Sequence, residues 1–134
     1  MPISHGEHVQ VLKYHPGQFY REHHDQNALP RSPWGPRLFT FFLYLSDVEE
    51  GGGTAFNRLK GTNTETGAEE VPLVVQPAVG RAVLWPSVRD GDPFKKDPRT
   101  NHEAKPVISG TKFAANAWIH MYDFKAPFKV GCTG

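Results

Sequence analysis

Apolar residues in this chain recur at every second position over short runs, with turn residues between the runs. A period of two sends successive side chains to opposite faces of an extended strand. Residues 9–14 alternate in this way at their start. Pro16-Gly17 then supplies a turn, the proline setting φ and the glycine accepting positive φ. Residues 18–24 predict a second strand. Residues 37–45 are the most apolar run and predict a strand buried on both faces or nearly so. Glu49-Glu50-Gly51-Gly52-Gly53 breaks that run and reads as a turn, and residues 54–56 predict a short strand. Residues 57–70 are polar and glycine-containing, so they read as a surface loop. Pro72 places the strand predicted over 71–76 near a sheet edge. Residues 81–85 follow a turn, and 86–101 read as a long exposed loop. Residues 102–108 and 111–121 are the last two strands, divided by Ser109-Gly110. The tail, 123–134, reads as irregular.

Eight short strands without an amphipathic helix predict an all-β fold. A double-stranded β-helix, or jelly roll, of about eight strands with few or no helices suits a chain of this size. An immunoglobulin-like sandwich is the alternative, but its Cys-Trp-Cys pattern is absent. The 134 residues predict one domain, 1–134, with a single core.

Composition removes several function classes. The formal net charge is +1, so neither nucleic acid nor a membrane surface is indicated as a partner. No apolar run is long enough to span a bilayer as a helix. The residues before Val9 contain no hydrophobic signal region. Cys132 is the only cysteine, so the fold does not depend on an intrachain disulfide, and it reads as an incidental tail residue.

Candidate chemistry centres on His23-His24-Asp25. On a strand, His23 and Asp25 leave the same face and His24 points away. One His-x-Asp among seven histidines is weak by itself. His102 opens a strand far downstream and Lys112 opens the next. Two histidines and an aspartate are the set that holds non-haem Fe(II) on one face and leaves other positions open. Within 111–121, Phe113, Ala115, Ala117, Ile119 and Met121 form one face; Lys112, Ala114, Asn116, Trp118 and His120 form the other. A lysine inside a barrel needs an anionic partner, and a carboxylate-bearing ligand would supply it.

The chain resembles the catalytic core of the 2-oxoglutarate and Fe(II)-dependent dioxygenases, specifically the prolyl 4-hydroxylase family. The matching stretches are 12–20 running into His23-His24-Asp25, then 43–52 followed by Thr54, then Gly80-Arg81-Ala82, and finally 102–107 with Gly110-Thr111-Lys112 and Trp118-Ile119-His120. They keep the family's order over nearly the whole chain. The resemblance implies that the chain crosses between facing sheets after His102, so that His102 and Lys112 both look inward. It implies iron ligation by His23, Asp25 and His102. It implies pairing of Lys112 with the far carboxylate of 2-oxoglutarate, with Tyr14 and Thr54 donating hydrogen bonds to it. Arg37, Tyr20, Trp118 and His120 match positions that line the peptide side.

The implied reaction is hydroxylation of peptidyl proline, consuming O2 and 2-oxoglutarate and releasing succinate and CO2, with ascorbate as reductant. No general base is implied. Lys105 and Phe113 depart from residues common in the family, which bears on specificity more than on chemistry. Family members usually carry a helical support region ahead of the first strand, and almost nothing precedes Val9 here, so either a partial sequence or a minimal core with an exposed sheet face is expected. The sequence leaves the compartment open; the family often works in the endoplasmic reticulum lumen. Three alternatives remain open at this point: the same chemistry on another peptide residue or a small metabolite, a non-catalytic jelly-roll binding module, and a zinc hydrolase, which gives Lys112 no role. Nucleic-acid demethylation is disfavoured because that branch anchors the co-substrate with arginine.

Overall fold

The computed structural model describes residues 2–27, 29, 31–62 and 66–131. Cys132 lies outside the described residues. In chain order the strands are β1 (Gln10–Tyr14), β2 (Tyr20–His23), β3 (Arg37–Tyr44), β4 (Glu50–Gly51), β5 (Thr54–Phe56), β6 (Gly61–Thr62) and β7 (Glu69–Glu70). They continue with β8 (Leu73–Val75), β9 (Ala82–Pro86), β10 (Val88–Arg89), β11 (Asp92–Lys96), β12 (His102–Ala104), β13 (Val107–Ser109) and β14 (Lys112–His120). One short helix, α1 (Lys125–Lys129), follows.

Two four-stranded sheets carry the architecture, ordered β1-β14-β3-β9 and β2-β12-β5-β8. These eight strands correspond to the eight read from the sequence. Every pairing within them is antiparallel. β8 is an edge strand, as Pro72 predicts. The predicted strand 102–108 is divided instead: Pro106 has no N–H to give a ladder, so β12 ends in one sheet and β13 pairs with β4 outside both. The chain then enters the other sheet as β14, which is the predicted crossing. Each predicted loop on either side of β8 and β9 hides a small hairpin, β6 with β7 and β10 with β11. Their strands are too short and polar to show an alternation.

The core lies between the sheets. Phe42, Tyr44, Phe56, Trp85 and Ala114 are buried there, with Leu12, Leu73 and Val75 packed against them. Burial follows the alternation on β3: Thr40, Phe42 and Tyr44 face inward, while Phe41 is 39% exposed. The expectation of a strand buried on both faces therefore does not hold. Among the described residues no layer covers the outer face of this sheet, where Val11 and Leu84 are also exposed.

The tail expected to be irregular forms α1. The Asp123 carboxylate accepts the Ala126 N–H at 2.9 Å, and Phe124 stacks on His120 with ring centroids 5.1 Å apart. No helix among the described residues is long and apolar enough to cross a membrane.

Candidate metal centre and its cavity

β2 and β12 are neighbours, and their register sets His23 opposite His102. The chain leaves β2 immediately after His23 and turns Asp25 back under the two rings, where it is 5% exposed. Ligand-type atoms of His23, Asp25 and His102 lie within 4.8 Å of one another. These are the three residues singled out by the sequence.

The hydrogen bonds around them decide which atoms face inward. His23 Nδ1 donates to the Arg21 carbonyl at 2.9 Å, and His102 Nδ1 donates to the Thr100 carbonyl at 2.9 Å. Both rings are therefore held in the tautomer whose Nε2 lone pair is free. Those Nε2 atoms stand 3.5 and 3.7 Å from the Asp25 oxygens. That is too long for good hydrogen bonds. It is close to the separation of about 3 to 3.5 Å between donors that share one ion at roughly 2.1 Å from each. Thr40 Oγ1 donates to Asp25 Oδ2 at 2.6 Å and fixes the carboxylate. The donor set, neutral imidazoles with one anchored carboxylate, fits a divalent transition metal such as iron.

Charge at Asp25 is secured despite its burial. Burial opposes ionisation, but the adjacent His23 and His102 rings and the Thr40 hydroxyl outweigh it and hold the pKa at about 2. His23 is pulled down by burial, yet its Asp25 and Arg21 contacts leave its pKa above the ordinary value. Burial dominates at His102, whose pKa is lowered.

A cavity of about 380 Å³ opens between the sheets beside these three residues. Lys112 lines it and is 1% exposed. The Lys112 Nζ donates to the Gly52 carbonyl at 2.6 Å. Among the described residues it has no carboxylate partner. The rings of Tyr14, Phe42 and Tyr44 surround the ammonium, with centroids 5.3 to 5.5 Å from Nζ. Burial alone lowers its pKa to about 8. Gly52 presents its carbonyl from a backbone with φ +72, a conformation that side-chain-bearing residues rarely adopt.

Tyr14 and Thr54 line the same cavity. Tyr14 pairs with Lys112 in register. Thr54 lies 2.7 Å from the Tyr44 hydroxyl, which itself donates to the Val75 carbonyl at 3.0 Å. Tyr44 has one proton, so the Thr54 hydroxyl donates to Tyr44 when no other acceptor is present.

Arg37, Tyr20 and Trp118 also line the cavity. Tyr20 is half-exposed and meets the His23 ring edge-on at 4.4 Å. The Arg37 guanidinium lies 4.2 Å over the Trp118 ring. It is held by Glu7 at 2.6 and 3.1 Å, by the Asp25 carbonyl at 3.1 Å and by Asn27 at 2.7 Å. The Trp118 indole N–H is buried without an acceptor among the described residues. His120 is not brought to the cavity. It is 1% exposed, and both ring nitrogens are engaged, with the Gly35 carbonyl at 2.9 Å and Glu7 Oε1 at 2.6 Å. It sits behind Arg37, its partner in the β14–β3 ladder, and shares Glu7 with it.

Thr40, Tyr44 and Glu7 were not singled out by the sequence. Glu7 precedes the first strand, and nothing local marks it. The two departures lie off the cavity: Lys105 pairs with Glu103 at 2.6 Å, and Phe113 is on the outer face under Lys13.

Comparisons with known proteins agree with this geometry. Residues 9–120 match the family described as the 2OG-Fe(II) oxygenase superfamily. A probable prolyl 4-hydroxylase 3 of Arabidopsis thaliana is 35% identical over 134 residues, covering 93% of this chain and 46% of that protein. Prolyl 4-hydroxylase subunit alpha-3 of Bos taurus is 38% identical over 128 residues, covering 90% of this chain and 21% of that protein. The crystal structure of a viral collagen prolyl hydroxylase from Paramecium Bursaria Chlorella virus-1, a 2OG complex, is similar with a TM-score of 0.69. It is 34% identical and covers 86% of this chain and 59% of that one. The chain thus spans about half or less of the length of the curated relatives it matches. The chain belongs to the 2OG-Fe(II) oxygenase superfamily.

Proposed function

From that membership we propose that this chain is the catalytic core of a dioxygenase that uses Fe(II), O2 and 2-oxoglutarate to hydroxylate proline in a peptide. Bound iron and 2-oxoglutarate together supply the oxidising chemistry, in which one oxygen atom of O2 enters the substrate C–H bond and the other enters succinate as CO2 leaves. Everything else is the work of the chain. His23 and His102 through Nε2, with Asp25 through its carboxylate, would hold the metal on one face.

The observation that carries the reading is Lys112. A buried ammonium without a counterion is costly, and proteins keep one where a ligand supplies the opposite charge. Among the described residues one of its three donors is used, by Gly52. The others suit the far carboxylate of a dicarboxylic co-substrate lying between Lys112 and the metal ligands. Thr54 and Tyr14 stand beside that place and can donate to the remaining lone pairs.

On the opposite side, Tyr20, Arg37 and Trp118 form the wall where a peptide would enter. The clamp around Arg37 makes it a rigid part of that wall rather than a mobile arm. His120 is a support for Arg37 through Glu7 in this reading. The named relatives support proline as the hydroxylated residue. Ascorbate would serve as the reductant that restores Fe(II).

The test is succinate release by the Fe(II)-loaded protein with a proline-rich peptide and with the same peptide carrying alanine for proline. Peptide-stimulated release that needs proline, with a gain of one oxygen in peptide mass, is expected. Equal release with both peptides, or none with either, would sink the assignment.

A further inference from the structure

His24 stands between two proposed ligands and faces away from them, and its contacts give it a task. Its Nδ1 accepts the Gln26 backbone N–H at 3.0 Å, so the ring proton is on Nε2. That Nε2 donates to the Asp97 carbonyl at 3.0 Å. The Thr100 hydroxyl donates to the same carbonyl at 3.0 Å and lies 3.4 Å from His24 Nε2. Asp97 opens the turn Pro98–Thr100, whose first backbone donor it caps through Arg99 N–H at 3.0 Å. Thr100 is also the residue whose carbonyl orients His102.

These contacts occur where the sheet stops helping. The β2–β12 ladder ends at the His23–His102 pair, and a register irregularity separates that pair from the Ala104–Tyr20 pair. Among the described residues, no backbone hydrogen bond joins 24–27 to 97–101. On its far side the 24–27 loop is tied to β3, where Gln26 Oε1 accepts Arg37 N–H at 2.8 Å. His24 is therefore a side-chain cross-link between the loop that carries Asp25 and the turn that aims His102.

We propose that His24 is a positioning residue for the metal centre, fastening the two ligand-bearing segments to each other through Gln26 and Asp97. The inference rests on the metal reading of His23, Asp25 and His102. Partners that orient ligands from outside the coordination sphere typically change metal affinity by about 10- to 100-fold when lost.

Three variants separate the contacts. His24→Gln can still reach Asp97 with an N–H donor. His24→Asn is too short for Asp97 but can still accept from Gln26 N–H. His24→Phe keeps the ring and loses both. The probe is Co(II), titrated anaerobically into metal-free protein, read as a dissociation constant and as the visible absorption of the bound ion. Thermal midpoints of the metal-free variants are measured alongside. We expect His24→Asn and His24→Phe to bind Co(II) about tenfold or more weakly with an altered spectrum, and His24→Gln to stay within about threefold of the parent. If His24→Phe does not fold, His24→Asn against His24→Gln decides. Parent-like affinity and spectrum in His24→Asn would overturn the inference, whatever its thermal midpoint. A parent protein whose Co(II) binding is absent, or unaffected by His102→Ala, would remove the metal reading and this inference with it.

Discussion

The Thr40 hydroxyl donates a 2.6 Å hydrogen bond to Asp25 Oδ2 across the interior of the protein, from the centre of β3 to the loop after β2. Thr40 is wholly buried and Asp25 nearly so. One Asp25 oxygen is thereby committed, and the carboxylate is presented to His23 and His102 in a fixed orientation. Thr40→Val keeps the shape and removes the donor. We expect metal affinity to fall by about 10- to 100-fold with the fold intact, read by anaerobic metal titration and by circular dichroism. Unchanged affinity would mean that the histidines alone orient Asp25.

Lys112 carries a conflict between stability and binding. Its burial lowers the pKa to about 8, so the charged form is disfavoured in the ligand-free protein. Lys112→Met removes that charge at similar volume. The ligand-free variant should melt at a higher temperature, while affinity for 2-oxoglutarate falls by about 100-fold or more. A lower melting temperature with affinity retained would contradict the assigned role.

In the proposed role the same group should set an alkaline limit on co-substrate binding. A dicarboxylate beside Lys112 favours the ammonium, so the bound-state pKa lies above the free value of about 8. Below pH 8 the free protein is already protonated and affinity is flat. Above it, affinity for 2-oxoglutarate should fall about tenfold per pH unit until the bound-state pKa is reached. For the ligand-free fold the sign is reversed. The depressed pKa means that the unfolded chain binds more protons between about pH 8 and 10.5, so stability rises with pH there. Calorimetric titration and melting curves across pH 7–10 check both directions.

Most of this site was legible before the structure, and its illegible part has a common cause. The alternation along β14 put Lys112, Asn116 and Trp118 on one face, and that face does line the cavity. His23 and Asp25 do meet, but not as two residues on one strand face: β2 ends at His23, and the loop after it turns Asp25 back under the rings. Thr40 could not be found this way. It sits inside the most apolar run, and its meaning depends on a loop that approaches from the other sheet. His120 shares the inward face of β14, but a register irregularity between Ile119 and His120 and the packing of Phe124 turn it behind the wall. Alternation assigns a face; it does not say whether the face meets a cavity, a core or a buried ion pair.

Acid pH should release the metal through the imidazoles and not through the carboxylate. Asp25, with a pKa of about 2, stays ionised throughout the range in which histidines titrate. His23 has its pKa raised and His102 has its pKa lowered from the ordinary 6.5. Protons therefore compete first at His23, from above pH 6.5, and then at His102 below it. The apparent affinity for a divalent metal should decline with a slope approaching two protons as pH falls past both. Affinity that does not change as pH falls through the histidine range would show that neither ring is a ligand.

Glu7 joins two groups that the chain separates widely, Arg37 at 2.6 Å and His120 at 2.6 Å. Burial opposes its charge, but hydrogen bonds from His120 and Arg37 outweigh that and lower its pKa. Removing one partner of a buried ion pair leaves the other charge uncompensated, at a typical cost of about 3 to 5 kcal/mol. Here the pair is 15% exposed on each side, so Glu7→Gln should cost somewhat less, about 2 kcal/mol. The functional effect should be selective. Arg37 lies over Trp118 at the proposed peptide wall, whereas Lys112 and the three proposed metal ligands are not among the hydrogen-bond partners of Glu7. Peptide KM should rise at least several-fold, while affinity for 2-oxoglutarate and for metal stays within about twofold. Losing all three together would mean that Glu7 supports the whole cavity and not one wall of it.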